Sequence, residues 1–282
     1  MSQGTSVLAI ASLVLGILSL SGCVALTGIP AVICGVIARK SPGSGGLAIA
    51  GIATGALGTV ATIVALALLL PAVSNVHAAA NRAKDQNNLK QLALGMMNDE
   101  TIFNGMYAPN AHDQTGEVLN SGLSYRVSLL PFVEQQNLYW QFDLTRSWDS
   151  PRNRPHSDTV VQPYTTPIDT APGPNTPYRV FFGGGALFNE DGKPVRFTDI
   201  TDGTSNTILH VHATEQVPWA APRELPYGRN IPLPALGHKN MSAGFNVGMV
   251  DGSVRFVRKD VSEATLRAAI TKAGNDMPGN DW

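Results

Sequence analysis

The chain has 282 residues, 44% hydrophobic and 15% charged, with a formal net charge of −1, enough for a membrane module and one globular domain of ordinary size. Residues 1–71 hold only Arg39 and Lys40, leaving 18 of the 20 basic and all 21 acidic side chains in the remainder. This mildly acidic remainder argues against a nucleic-acid binder, which needs a basic face to displace counterions. Both cysteines, Cys23 and Cys34, fall in the apolar start, so the fold relies on neither disulfides nor a cysteine-ligated zinc.

Residues 6–38 form a first apolar block, SVLAIASLVLGILSLSGCVALTGIPAVICGVIA. As one helix it would be about 50 Å long, too long for a single untilted span and short for two full ones. Gly28 and Pro30 supply a break, and a long kinked span and a tight re-entrant hairpin both fit. Leu20-Ser21-Gly22-Cys23 resembles a lipoprotein cleavage box. A secretory signal opens with positive residues, however, and MSQGTS has none, so Cys23 reads as a cysteine inside a membrane helix. The glycine-rich turn RKSPGSGG follows with both flanking cations. The positive-inside rule puts it in the cytoplasm, so the next span leads outward and residues 72–282 lie outside the cytoplasmic membrane.

From Leu47 to Pro71 there is no charged residue, a run longer than the roughly 20 residues that cross a bilayer. It continues into AVSNVHAAANRAKDQNNLKQLALGMMNDETIF without an obvious stop. There Leu89, Leu92, Ala93 and Met96 recur at helical spacing between polar residues. The spacing predicts one long helix, or two bent at Pro71, with its first half in lipid and its second half (72–103) the spine of a soluble domain.

After the spine come a loop rich in Asn, Gly and Pro and then SYRVSLLPFVEQQNLYWQFD, a short buried helix or strand–helix pair. Seven prolines between 143 and 177 rule out regular helix there. From Tyr178 to residue 258 the pattern is strands and turns: YRVFF, then SNTILHVHATE, then GFNVGMVDGSVRFVRK. The last reads as a hairpin on a two-residue Asp251-Gly252 turn. A helix over 261–273 closes the chain, with Asp260 and Glu263 at capping-box spacing and Gly274 as its stop.

This order of motifs resembles the bacterial prepilin-like family called domain of unknown function 1559. ALALLLPAVSNVHAAANRAKDQNNLKQLALGM is similar to the second half of a type IV pilin-like N-terminal helix. SYRVSLLPFVEQQNLYWQFD, FTDITDGTSNTILHVHATEQVPWAAPRELPYG and GFNVGMVDGSVRFV follow in the family's order. The family motif maps onto Asp202, Gly203, Thr204, Ser205, Asn206, Trp219, His238, Asp251 and Gly252. Twelve residues separate His238 from Asp251, a wider spacing than the family's own. Residues 6–70 resemble a separate membrane module, domain of unknown function 4190. The resemblance implies an α+β fold: N-terminal transmembrane helices (membrane module 1–71, apolar segments 6–38 and 47–71), then a pilin-like domain (72–282) with the spine helix packed on a mainly antiparallel sheet. Prepilins open with a basic leader and a Phe-Thr-Leu-Ile-Glu start; here no acidic residue precedes Asp85. The expectation is therefore a permanently anchored pilin-like domain, not a polymerising pilin.

For chemistry the residues offer little. His210 and His212 share a strand face and, with Glu215, are the weak candidates for a metal site; a histidine pair on a sheet explains them as well. Asp199, Asp202 and Asn206 could surround a hard cation, but DITDGTSN reads better as a tight turn. Trp219, Tyr227 and Tyr178 could line an aromatic ligand shelf, with the loops 143–177 and 216–236 forming the site. Gly183-Gly184-Gly185 lacks the Lys-Ser/Thr of a phosphate loop. No nucleophile with a plausible base stands out, and neither a cofactor nor catalysis is expected. The expected role is a structural or interaction module of the cell envelope in a pilus-like or secretion-related assembly, with the bilayer and other envelope or pilin-like proteins as partners. The alternative is an extracytoplasmic solute- or glycan-binding module.

Overall fold

The computed structural model describes residues 7–20, 24–40, 45–106, 108–169, 171–241 and 243–282. Two compact units emerge, 1–79 and 80–282, and a single helix contributes residues to both.

In the first unit, α1 (Val7–Leu20) and α2 (Val24–Ala38) pack side by side, and the Ser12 hydroxyl donates to the Ala31 carbonyl at 2.8 Å. The first apolar block is therefore a helical hairpin. The break expected at Gly28 and Pro30 is not found there: α2 runs unbroken through both. Gly28 is a packing residue: a Cβ there would strike Thr59 Oγ1 of α3 (Gly45–Phe103). Gly35, Gly51 and Gly55 are likewise too close to Ile52, Ser12 and Ala31 to carry a side chain. The interior of this unit is small and partly polar (Ala9, Ser12, Ala31, Ala48), whereas Val7, Val14, Ile33, Val36 and Leu57 face outward. Large apolar side chains outside and small ones within suit helices packed in lipid, where burying apolar area gives no driving force and close backbone approach does the work. Cys23 lies outside the described residues; Cys34 is a free thiol.

Helix α3 runs unbroken through Pro71 for 59 residues. Its stretch Gly45–Leu70 is long and apolar enough to cross a membrane. Further on, α3 carries one buried stripe: Asp85, Leu89, Leu92, Ala93, Met96 and Asp99 are all fully or almost fully buried. The intervals of four, three, one, three and three keep these six on one helical face.

That face packs on a four-stranded antiparallel sheet of order β1-β3-β5-β6. The strands are β1 (Asn175–Arg179), β3 (Ile208–Pro218), β5 (Gly244–Met249) and β6 (Val254–Arg258), with β2 (Phe181–Phe182) and β4 (Leu225–Pro226) forming a small parallel pair. Pro177 is tolerated in β1 because β1 is an edge strand. Residues 208–213 of β3 are buried throughout: the opposite face of the sheet is covered by the C-terminal helix Glu263–Ile270, whose Leu266, Ala269 and Ile270 pack on Val211, Val247 and Met249. SYRVSLLPFVEQQNLYWQFD folds as three one-turn helices (Tyr125–Ser128, Leu130–Val133, Gln136–Tyr139) over the flank of α3.

Two local expectations change. The β5–β6 connection is a three-residue loop, Val250-Asp251-Gly252, closed by Met249 N–H to the Ser253 carbonyl (2.8 Å) and Gly252 N–H to the Met249 carbonyl (3.0 Å). Only Gly252 takes a positive φ, +80°, as in a type I turn followed by a left-handed residue. The C-terminal helix is capped by Ser262, which accepts from Thr265 N–H, and not by Asp260, which pairs with Arg258.

The stripe makes a quantitative expectation. Leu92→Ala should lower unfolding free energy by about 2–5 kcal/mol, whereas Leu94→Ala, on the exposed side of the same helix, should change it by less than about 0.5 kcal/mol. Denaturant titration followed by tryptophan fluorescence distinguishes them; equal effects would place the helix differently on the sheet.

Candidate functional site

The most connected polar centre of the folded unit is Asp85, an acid buried within the apolar stripe of α3. Its Oδ1 accepts from the Tyr178 hydroxyl (2.7 Å) and from His212 Nδ1–H (3.0 Å), and its Oδ2 from Asn246 Nδ2 (2.6 Å). Tyr178, His212 and Asn246 stand on β1, β3 and β5, three successive strands, so one carboxylate ties the helix to each of them. Gly248 on β5 lies under the helix here: a Cβ built on it would sit 3.6 Å from the Leu89 carbonyl, an ordinary contact. Around the hub, Asn88 donates to the Thr165 carbonyl (2.8 Å) and Gln86 reaches Asn246 (3.5 Å). Burial works to raise the Asp85 pKa. The hydrogen bond and charge of His212, with the bonds from Asn246 and Tyr178, outweigh it and hold the acid below the ordinary carboxylate range.

A second acid–histidine clip lies 14 residues along the same helical face. Asp99 meets His112 Nε2 at 2.9 and 3.0 Å, while His112 Nδ1 faces the Asp113 carbonyl at 2.7 Å. Both ring nitrogens thus face oxygens. Burial pushes Asp99 up, with His112 opposing it only in part. A third buried centre joins Arg126 and Glu224 at 2.7 Å; Arg126 also donates to the Tyr178 carbonyl (2.6 Å) and Ser124 Oγ (2.9 Å).

The predicted metal candidates are not brought together. His212 spends Nδ1 on Asp85. His210 is buried with neither ring nitrogen partnered among the described residues and packs near Tyr125; burial, then the Arg126 charge, depresses its pKa to about 3, so the ring is neutral. Glu215 is exposed and pairs with Arg179. Among the described residues no group of three His, Cys, Asp or Glu side chains could hold a metal ion. His238 packs 6.2 Å from His212, ring centre to ring centre. Its Nδ1 accepts from Asn240 N–H (3.1 Å), which makes Nε2 the donor to Asp169 (3.2 Å).

The family-motif residues divide between two places. Asp202 accepts from Gly274 and Asn275 N–H (2.6 and 3.0 Å), and Asn206 returns a bond to the Asp202 carbonyl (3.0 Å). Gly203 takes φ +97°, and Asp251 N–H donates to the Thr204 carbonyl at 3.1 Å. The DITDGTSN turn, with Ser205 inside it, therefore latches both the β5–β6 loop and the chain beyond the C-terminal helix. Asp199 serves its own turn, accepting from Arg196 N–H at 2.9 Å. His238 and Trp219 belong elsewhere: Trp219 is buried, its indole N–H donating to the Thr159 carbonyl at 2.9 Å. Tyr178, Trp219 and Tyr227 are all buried, the first two in one apolar cluster and the third in another, so they form no shelf.

Chemically, Asp85 orients His212 as the third member of a catalytic triad orients its base. The free Nε2 of His212, however, is buried and has no hydrogen-bond partner among the described residues, so no nucleophile is poised against it. The arrangement works as a clamp.

A family model described as "Protein of unknown function (DUF1559)" matches residues 75–230, and one described as "Domain of unknown function (DUF4190)" matches 8–65. The first match takes in Asp85, Tyr178 and His212 and ends before His238, Asn246 and Asp251-Gly252. No curated protein and no solved structure matches the chain.

Removing the hub acid tests the clamp. Asp85→Ala strands three buried donors and should cost about 3–5 kcal/mol at neutral pH. Because folding lowers this acid's pKa, its stabilisation is present above the ordinary carboxylate range and is lost as pH falls through the folded value. The stability gap between wild type and variant should therefore narrow below about pH 4. A gap that stays constant with pH in urea titrations would show that the charge of Asp85 does not carry the contact.

Proposed function

Because the chain belongs to the DUF1559 family, which covers more than half of it, and bears a DUF4190 segment ahead of that region, we propose a non-catalytic, membrane-anchored envelope module for structure or interaction. In this reading the helical hairpin and the first part of α3 sit in the cytoplasmic membrane, and the unit 80–282 stands on its outer side. The module serves a pilus-like or secretion-related assembly, and its partners are the bilayer and other envelope or pilin-like proteins.

The observation that carries the reading is how the buried polar groups are spent. Asp85, Asp99, Arg126, Glu224 and Asp202 each join one structural element to another. A helix whose carboxylate is held by three strands suits a scaffold that must keep its shape at the end of an anchor. The outward-facing apolar side chains of α1–α3 favour the anchor, and the Arg39-Lys40 pair favours the orientation. The solute- or glycan-binding alternative loses its expected aromatic shelf to the core.

Protease shaving of spheroplasts carrying an epitope after residue 282 tests the orientation. The epitope should disappear while a fragment containing residues 7–70 remains protected; survival of the epitope would put the folded unit in the cytoplasm. Crosslinking in intact cells should then recover envelope proteins.

A further inference from the structure

The folded unit carries an open groove that none of its buried polar networks occupies. With a volume of about 950 Å³, it lies between the segment 229–239 and the C-terminal helix. Phe245, Leu236, Val261 and Leu266 give it an apolar lining, and Arg229, Lys239 and Lys259 stand among its lining residues. Those three cations are exposed, and among the described residues none has a side-chain hydrogen bond or ion pair. Arg267, by contrast, is fixed in the wall, donating to the Gly228 and Ile231 carbonyls (3.1 and 2.9 Å) and to Glu263 (2.8 Å). Glu263, the groove's one acid, is therefore already paired. An adjoining cavity of about 500 Å³ shares Arg229 and Arg267. Its Lys272 is already bonded to the Leu187 carbonyl and Asn189 (3.1 and 2.6 Å), and its acid, Asp276, accepts from Thr271 (2.9 Å), so the unpaired cations remain Arg229, Lys239 and Lys259. This uncompensated positive charge stands in a part of the chain that is acidic overall.

We infer that the groove docks an extended acidic segment of a partner polypeptide, its carboxylates meeting Arg229, Lys239 and Lys259 and its aliphatic side chains lying on the apolar lining between them. The inference rests on the interaction-module reading and names the partner's chemistry. Charge complementarity selects an anion. Openness argues against a small solute, since small-molecule pockets bury about 70–90% of their ligand, and against a single acyl chain, which needs enclosure. A sugar chain would look for aromatic platforms and amide or carboxylate groups, whereas the groove offers the single amide of Asn230 and a largely aliphatic lining. Pro232 and Pro234 remove backbone donors from the 229–239 wall, so recognition passes through side chains and not through strand addition.

The test uses the full chain in nanodiscs of zwitterionic lipid and a labelled peptide in which Glu alternates with Leu, read by fluorescence anisotropy. Binding should saturate, weaken with added salt, and fall at least about tenfold in Arg229→Glu/Lys259→Glu. Lys239→Glu alone should weaken it by less, and an otherwise identical Gln–Leu peptide should not bind. Both variants alter exposed side chains, and an unchanged denaturation midpoint confirms their fold. Absent saturation, equal binding to the charge-reversed protein, equal binding of the Gln–Leu peptide, or displacement by a polyuronate oligosaccharide at lower concentration would each overturn the inference. Failure here with successful crosslinking to envelope proteins would remove the groove and leave the module; peptide binding with a protease-protected epitope would keep the groove and remove the orientation.

Discussion

One carboxylate organises the folded unit. Asp85 sits where an apolar side chain would continue the stripe of α3, and its three donors come from β1, β3 and β5. A hydrophobic stripe can slide or rotate on a sheet at modest cost, because apolar contact is not directional. A buried charge cannot slide, because each lost donor leaves an unsatisfied group in a low-dielectric interior. The apolar stripe therefore supplies adhesion, and Asp85 supplies register. Asp99 repeats the device 14 residues further on, holding His112 and the loop that carries it. Between these two clips the fully buried side of the helix is apolar, with Leu89, Leu92, Ala93 and Met96, while the half-buried Gln86 and Asn88 reach partners at its margin.

The N-terminal unit reverses this chemistry. Its interior is made of small residues, with Ser12 bonded to a backbone carbonyl, and its large aliphatic side chains face outward. Gly28, Gly35, Gly51 and Gly55 are required where the helices touch, since a side chain at any of them would meet an atom of the neighbouring helix. In water this arrangement would expose a broad apolar surface; in lipid it is the expected one. The same helix, α3, thus obeys two opposite packing rules along its length, and its composition changes accordingly between Leu70 and Asp85.

Much of this architecture was legible in the sequence for physical reasons. The charge-free run before Pro71, the spacing of Leu89, Leu92, Ala93 and Met96, and the alternation around Asp251-Gly252 all follow from periodicity, which is local. Partnership is not local. Asp85 lies in AKDQNN, which reads as a solvated face, and His212 is 127 residues away. The available signal was that Asp85 stands four residues before Leu89 and Asp99 three after Met96, which extends the stripe by a turn at each end. The parity of His210 and His212 on β3 put both on one face, and what meets them there is a helix carboxylate and a tyrosine ring. Arg126, on the one-turn helix Tyr125–Ser128, and Glu224, in the segment before β4, are buried opposite each other and left no pattern, because neither periodicity nor spacing encodes which segments meet. Gly28 and Pro30 read as a break because both act as chain breakers in isolation, whereas α2 runs through them and its glycine admits Thr59.

Native-state hydrogen exchange tests most directly whether Asp85 fastens the helix to the sheet. If it does, the amides of residues 86–96 in α3 and 209–212 in β3 should open together, with the same free energy and the same denaturant dependence, as one cooperative unit. A helix that exchanges by local fraying well below the opening energy of β3 would contradict the account.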